Sequence, residues 1–337
     1  MTTPPDNLRL SVIIPTYNRK ESLLRTLKAL ERQTYPMNAF EVLVISDGSV
    51  DGTAEAIASL KTAYRLEFVE QANAGPSRAR NNGAQRALAP LLVFVDDDIE
   101  PVACFLAEHA KAHENDPKLV LIAPQTGPFG EPMPAWIEWE HRMLQRQYVN
   151  FVSGVWEIGP NNLYSGNFSV SRAALLEVGG FNENFTRQED VELGFRLEKR
   201  GLHFKFSAEA DGIHRSSRPF KSWYRTPFEY GRRDVQMSRE QEDGGRIIAW
   251  ARKNYSERNA LTKFLAKIAV GVPVMEGLVL ALVRGMVFYG GRKVALLACS
   301  LLFNLRYLQG MSLELGGRRS LWNTLEGREQ PQDAQAS

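Results

Sequence analysis

Leu10-Ser11-Val12-Ile13-Ile14 is an apolar, β-branched run closed by Pro15, and the periodicity beyond that proline decides the fold. Leu23, Leu24, Leu27 and Leu30 recur at helical spacing across residues 21–32, so a buried strand gives way to an amphipathic helix. The alternation then repeats. Residues 40–45 read as a second buried strand, and 66–69 as a third. Between them, Asp47-Gly48-Ser49 and Asp51-Gly52-Thr53 are turn chemistry leading into a short helix at 54–60. A helix over 78–88 and a strand over 91–95 come next. Strands separated by helices of this length predict βαβ units, hence an α/β fold whose mostly parallel sheet is covered by helices on both faces.

Ligands on such a sheet bind beyond the carboxyl ends of the strands. The segments to watch are therefore Pro15-Thr16-Tyr17-Asn18, Ser46-Asp47-Gly48-Ser49 and Asp96-Asp97-Asp98. No Gly-x-Gly-x-x-Gly follows the first strand and no Walker A lysine loop occurs, which removes the glycine-loop cradles for a diphosphate. A metal held by carboxylates is the obvious substitute. Three adjacent aspartates repel one another, and a bound cation relieves the repulsion. Alternate residues of an extended segment point the same way, which would turn Asp96 and Asp98 toward one ligand and Asp97 elsewhere. A solvated acidic turn is the competing reading.

The composition is that of a globular chain: 337 residues, 44% hydrophobic, 41 Lys+Arg against 39 Asp+Glu, for a net charge of +2. Collagen, coiled-coil and low-complexity readings are excluded. Cys104 and Cys299 stand far apart, so neither a disulfide framework nor a cysteine zinc site is available, and a reducing compartment fits best. The polar, proline-containing start does not resemble a signal peptide, so the chain is expected to begin in the cytoplasm. The net charge hides a division. Residues 1–198 hold 18 Lys+Arg and 26 Asp+Glu, while residues 199–337 hold 23 and 13. An acidic half able to bind metal and a basic half able to meet an anionic surface are what this implies.

Six blocks in order carry a resemblance. They are Ser11-Val12-Ile13-Ile14-Pro15-Thr16-Tyr17-Asn18-Arg19; Ser46-Asp47-Gly48-Ser49-Val50-Asp51-Gly52-Thr53; Ala74-Gly75-Pro76-Ser77-Arg78-Ala79-Arg80-Asn81; Phe94-Val95-Asp96-Asp97-Asp98; Ser165-Gly166-Asn167-Phe168; and Gly179-Gly180-Phe181-Asn182-Glu183 running into Glu189-Asp190-Val191-Glu192. Over residues 9–215 the chain resembles family-2 glycosyltransferases. The resemblance implies a GT-A fold, Rossmann-like, and inverting transfer of a sugar from a nucleoside diphosphate donor, with UDP the expected nucleotide. On that mapping Asp47 would bond the nucleobase, with the backbone near Pro15 and Thr16 lining its pocket. Ser46 stands where the family often has an acid, which leaves base preference open. Asp98 would ligate Mn²⁺ or Mg²⁺ bridging the diphosphate, Asp96 would lie near the ribose or the metal, and Asp97 would belong to the same donor site. Arg78 or Arg80 would neutralise phosphate charge, and His214 would complete the metal shell or touch the diphosphate. The alternatives are surface arginines and a structural histidine.

A glycosidase needs two carboxyl groups because its leaving oxygen must be protonated. A diphosphate leaving group needs only a cation, so one carboxylate base suffices. By resemblance that base is Asp190, with Glu189 beside it and in reach of the acceptor. Both open a helix expected over 190–200, whose dipole should hold a carboxyl ionised. Gly194 inside that helix predicts close packing against another element or the ligand. A short helix at 171–177 and a strand at 203–207 are also expected. Trp136, Trp139 and Trp156 lie in a stretch read as loop-rich, where they either stack on acceptor sugars or anchor packing.

The last third is basic and aromatic over 215–263, then apolar over 268–283 and 294–303. Pro273, Glu276 and Arg284 make the first apolar stretch a poor span, and a hairpin would export the basic Gly290-Gly291-Arg292-Lys293 against the positive-inside bias. Helices lying in the cytoplasmic membrane interface fit better, with a soluble helical subdomain or a dimer interface as the alternative. No nucleic-acid module accompanies the charge. The expected organisation is a flexible 1–8, a catalytic domain over 9–255 (nucleotide half 9–100, acceptor half 101–255), membrane-associated helices over 256–315 and a disordered tail over 316–337. The expected partners are a nucleoside diphosphate sugar, a glycan or lipid-linked acceptor and the cytoplasmic membrane face. A polyprenyl-phosphate acceptor or a non-catalytic nucleotide-sugar binder on the same fold are the other readings.

Overall fold

The computed structural model describes residues 7–185, 187–240 and 244–328. These fall into two compact units, one of residues 7–131 and 141–216, the other of 132–140 and 217–328.

The first unit carries the strands β1 (Leu10–Thr16), β2 (Phe40–Ser46), β3 (Arg65–Glu70), β4 (Leu91–Val95), β5 (Ile99–Pro101), β6 (Leu119–Ile122), β7 (Gln125–Thr126), β8 (Asn167–Ser171), β9 (His203–Phe206) and β10 (Gly212–His214). Seven of them form one sheet in the order β3-β2-β1-β4-β8-β6-β9, and β5-β10-β7 form a small second sheet. In the large sheet β8 is the antiparallel member, paired against both β4 and β6. The mostly parallel α/β sheet expected from the sequence is what forms.

β1 and β2 are buried along their whole length because helices cover both faces. The two-residue strand period sorts their side chains. Leu10, Val12 and Ile14 join a core with Leu23, Leu27 and Leu30 of α1 (Lys20–Leu30). Ile13 joins a second core with Ala79 and Ala84, which lie on the helix Pro76–Arg86. That helix, α3, follows α2 (Thr53–Ala58) in the chain. It seats so closely that a Cβ on its Gly83 would lie 2.6 Å from Ile13 Cγ2. The edge strand β3 is defended by Arg65, Glu67 and Glu70. Further on lie α4 (Phe105–His113), α5 (Ala135–Val152), α6 (Arg172–Glu177) and α7 (Glu189–Lys199). Gly194 of α7 packs on the Pro160 backbone, the close approach its sequence position predicted.

The second unit is helical: the first residues of α5, then α8 (Phe220–Glu240), α9 (Gly244–Ser256), α10 (Ala260–Ala269), α11 (Pro273–Tyr289), α12 (Arg292–Glu314) and α13 (Arg318–Leu325). Its core gathers Trp223, Val235, Leu302, Leu305 and Met311. α8 and α12 cross at two glycines. A Cβ on Gly231 would run into the Tyr307 carbonyl, and one on Gly310 into the Phe228 carbonyl.

Three expectations about organisation are corrected. The stretch read as loop-rich around Trp136 contains the 18-residue helix α5. The sheet unit ends at 216 rather than 255, because α8 and α9 pack with the later helices. The tail does not begin at 316, since α13 buries Leu321 and Leu325; residues 329–337 lie outside the described residues. Of the expected flexible start, Leu8 is buried and residues 1–6 lie outside the described residues.

Candidate active site

The ends of β1, β2 and β4 meet as the fold class requires, and their loops are stitched together. Asn18 takes a left-handed conformation (φ 51°), accepts a hydrogen bond from the Val50 N–H at 2.8 Å and donates its own N–H to Ser49 Oγ at 3.0 Å. Asp47 is buried and accepts from the Ala74 and Gly75 N–H groups at 2.9 and 2.8 Å and from Gln71 Nε2 at 2.8 Å. Its carboxylate therefore fixes the loop before α3. Pro15 and Thr16 lie within β1, where the Thr16 carbonyl accepts from the Asp47 N–H at 2.9 Å.

The three aspartates do not alternate as an extended segment would. β4 stops at Val95 and the chain turns, with the Ile99 N–H donating to the Asp96 carbonyl at 3.2 Å. Asp97 and Asp98 thereby share one arginine: Arg19 Nη1 lies 3.0 Å from Asp97 Oδ1 and 2.7 Å from Asp98 Oδ2. Asp97 also accepts from Thr16 Oγ1 at 2.7 Å. Asp96 turns away to Arg80, 2.7 Å from its Nη2. The expected trio of Asp96, Asp98 and His214 is therefore not assembled. Among the described residues no group of three or more His, Cys, Asp or Glu side chains forms a metal cage.

His214 ends β10, whose pairing with β5 brings it back to Ile99. Its Nε2 stands 3.5 Å from Asp98 Oδ1, and the next residue, Arg215, donates its N–H to the Asp98 carbonyl at 2.8 Å. Burial alone would raise the Asp98 carboxyl, but His214 and Arg19 outweigh it and hold the group below the ordinary carboxylate range. Burial wins at Asp97, pushed up to about 6 despite Arg19. His141 crosses the His214 ring at 5.3 Å, nearly perpendicular. It is buried, both its ring nitrogens lack partners among the described residues, and burial pushes it down to about 4.

Arg80 joins the two ends of the cluster. Buried on α3, it reaches Asp96 with one nitrogen and Glu189 Oε1 with the other, at 3.2 Å. Arg78, the other candidate, is exposed and has no ion-pair partner among the described residues. Asp190 follows Glu189 in the first turn of α7, where its carboxylate accepts from the Ser165 N–H at 3.2 Å and the Val191 N–H at 2.9 Å. The helix start does not lower its pKa as expected. Burial raises it, the neighbouring Glu189 raises it further, and the two N–H donors and Arg80 do not compensate; the group is pushed up to about 7.

Trp136 and Trp139 are not displayed as stacking platforms. Trp139 is buried against Trp223 and Phe303, and Trp136 packs on Phe220 and Phe288 while its indole N–H donates to the Arg218 carbonyl at 3.0 Å. Both serve the core of the helical unit. Trp156 is partly exposed near Phe151. Two members of the cluster, Arg19 and His141, were not singled out in the sequence. Arg19 sits inside a quoted block, but nothing local announces that it reaches residues 78 and 79 positions away. His141 lies on the helix that was read as loop.

Comparison with known proteins agrees with this geometry. Residues 11–178 match the family described as Glycosyl transferase family 2. A validoxylamine A glucosyltransferase of Streptomyces hygroscopicus is 34% identical over 234 residues, covering 60% of this chain and 54% of that protein. The chain thus spans about half the length of that relative. Glycosyltransferase AglE of Haloferax volcanii is 28% identical over 233 residues, covering 68% of this chain and 73% of its own. Among solved structures, the mannosyltransferase PcManGT of Pyrobaculum calidifontis, in complex with GDP-Man and Mn²⁺, superposes with a TM-score of 0.61 at 19% identity, over 89% of this chain and 86% of that one. S. aureus TarS 1–349 in complex with UDP-GlcNAc gives 0.54 at 19% identity, over 92% and 93%. At that identity the structures establish the shared GT-A fold. With its six blocks on one sheet edge and the match across residues 11–178, the chain belongs to glycosyl transferase family 2.

Proposed function

We propose that this protein is an inverting glycosyltransferase that moves a sugar from a UDP-linked donor to a hydroxyl of a glycan or lipid-linked acceptor, with Asp190 as general base. The observation that carries the reading is the convergence on one sheet edge of Asp47, the Asp98–His214 pair and Asp190, with Arg80 spanning Asp96 and Glu189. A relative named as a glucosyltransferase and a fold neighbour holding UDP-GlcNAc support the donor class.

A divalent cation fits the donor set in part. Asp98 offers an oxygen and His214 a nitrogen, and beside them the buried His141 has ring nitrogens without a partner among the described residues. With two protein donors, the nucleotide diphosphate would supply the rest of the shell, so Mn²⁺ or Mg²⁺ would bind with the nucleotide better than alone. A cation held there would supply positive charge to offset the negative charge of the departing diphosphate. Arg19, now on Asp97 and Asp98, shares the same carboxylates and is the group such a cation would displace.

Asp190 accepts the proton of the acceptor hydroxyl as that oxygen bonds to the anomeric carbon. The bond from that carbon to the diphosphate oxygen breaks on the opposite face, and the electron pair leaves with the nucleoside diphosphate. Arg80 holds Glu189 and Asp96 in place through its two ion pairs. A panel of nucleotide sugars assayed with Mn²⁺ and Mg²⁺, the product's anomeric configuration read by NMR, tests the reaction. Asp190→Asn should lower the rate by about 10²–10⁴-fold while nucleotide still binds. Undiminished transfer by that variant removes Asp190 from the role.

A further inference from the structure

The helical unit carries a surface that water does not favour. Of the 17 residues of α11, Glu276 and Arg284 are the charged ones. A helix this apolar is ordinarily buried on all sides. Here Val279, Val283 and Val287, spaced four apart, are the stripe it buries in the core. The adjoining stripe is open: Val274 is 74% exposed, Leu278 61% and Leu282 69%, with Phe288 at 51%. On α10, Leu261 and Phe264 are 47% and 61% exposed, again one helical turn apart. The two helices pack against each other, and large aliphatic and aromatic side chains exposed together on them mark an interaction surface.

The charge around it selects the partner. Residues 258–297 contain six Lys/Arg and one acid. Arg284 and Lys293 are exposed and have no carboxylate partner among the described residues. A second copy meeting this face across a two-fold axis would bring those cations toward their own images. An anionic surface would bind them. α11 is about 25 Å long at 1.5 Å per residue, short of a ~30 Å hydrocarbon core, and one of its stripes is already committed to the bundle. α12 is the one described helix long and apolar enough to cross a membrane, and 61% of its apolar window is buried inside the protein. That burial is what a core helix shows.

We propose that α10 and α11 dock this protein in the headgroup region of an anionic bilayer, with Phe264, Leu278 and Leu282 entering the acyl boundary and Arg284 and Lys293 meeting lipid phosphates. The proposal does not depend on the glycosyl-transfer reading, and its test uses no sugar. Full-length protein is floated with vesicles of phosphatidylcholine alone or of phosphatidylcholine with phosphatidylglycerol. Binding is expected to the anionic vesicles and to survive high salt in part. The triple variant Phe264→Gln, Leu278→Gln, Leu282→Gln should lower partitioning by at least about tenfold. Arg284→Gln with Lys293→Gln should abolish the preference for phosphatidylglycerol. Because all five side chains are exposed, unchanged melting and circular dichroism are expected for both variants. Failure of the native protein to float overturns the proposal. So does undiminished flotation of the triple variant, or its conversion of a dimer to a monomer by light scattering, which would make the face a self-association surface.

Discussion

Burial pushes the Asp190 carboxyl up to about 7, and a group held that way is both poised as a base and unfavourable to the fold. Between the ~3.9 of an unfolded aspartate and the native value, the folded chain keeps a proton that the unfolded chain has released, so stability falls as pH rises across that window. Above it the native carboxylate is ionised and partly desolvated. Asp190→Asn removes the charge and retains an acceptor for the Ser165 N–H, so the variant should melt higher than the native protein near pH ~8, by about 1–3 kcal/mol, and equally near pH ~4. In its proposed role catalysis runs in the opposite direction, because a base must be ionised to accept a proton. We expect kcat/KM to rise with pH to a plateau above about 7. A profile flat from pH ~5 to ~9 would count against that titration. None of this could be read from the sequence, where the first turn of a helix argued for a lowered value. Whether dipole or desolvation wins depends on what packs around the carboxyl.

Among the helices and strands, Arg80 is where α3, the end of β4 and the start of α7 are held together. Replacing it by Met leaves Glu189 buried and Asp96 a third exposed, each without its cation. We expect a loss of about 2–3 kcal/mol in urea unfolding, below the value for a fully buried pair because Asp96 keeps water. A change under ~0.5 kcal/mol would mean the bridge is only geometric. The elements themselves were unevenly legible. β1, β2 and β4 were plain because strands buried on both faces read as nearly continuous apolar runs. α5 was missed for a physical reason: Ala135 and Trp139 lie in the core of the helical unit, while Tyr148 and Phe151 pack with Phe206, so no single stripe runs along it. Asp98 and His214 could be assigned to one site by resemblance, and the β5–β10 pairing is what joins them. The roles of Trp136 and Trp139 could not, since an aromatic on a helix declares nothing about which side is solvent.

Across the chain as a whole, the division of charge between its two parts runs alongside a division of cores. The sheet unit has apolar clusters on both faces of its sheet, and the helical unit has one built around Trp223 and α12. The chain passes between them at 131, 140 and 216. Units with separate cores need not unfold together, so calorimetry should resolve more than one transition. The two levers act on different cores. On the proposed function, UDP with Mn²⁺ should bind the sheet unit and stabilise it by mass action, about 2.7 kcal/mol at a hundredfold excess over Kd. Gly310→Ala drives a methyl into the Phe228 carbonyl where α8 and α12 cross, a clash with backbone that cannot rotate away. Overpacking of that kind costs about 1–3 kcal/mol or more. Nucleotide should therefore raise one transition and leave the other in place, and Gly310→Ala should lower the second without weakening nucleotide binding. One transition moved equally by both would show a single cooperative unit, with helix α5, common to both parts of the chain, as the element that couples them.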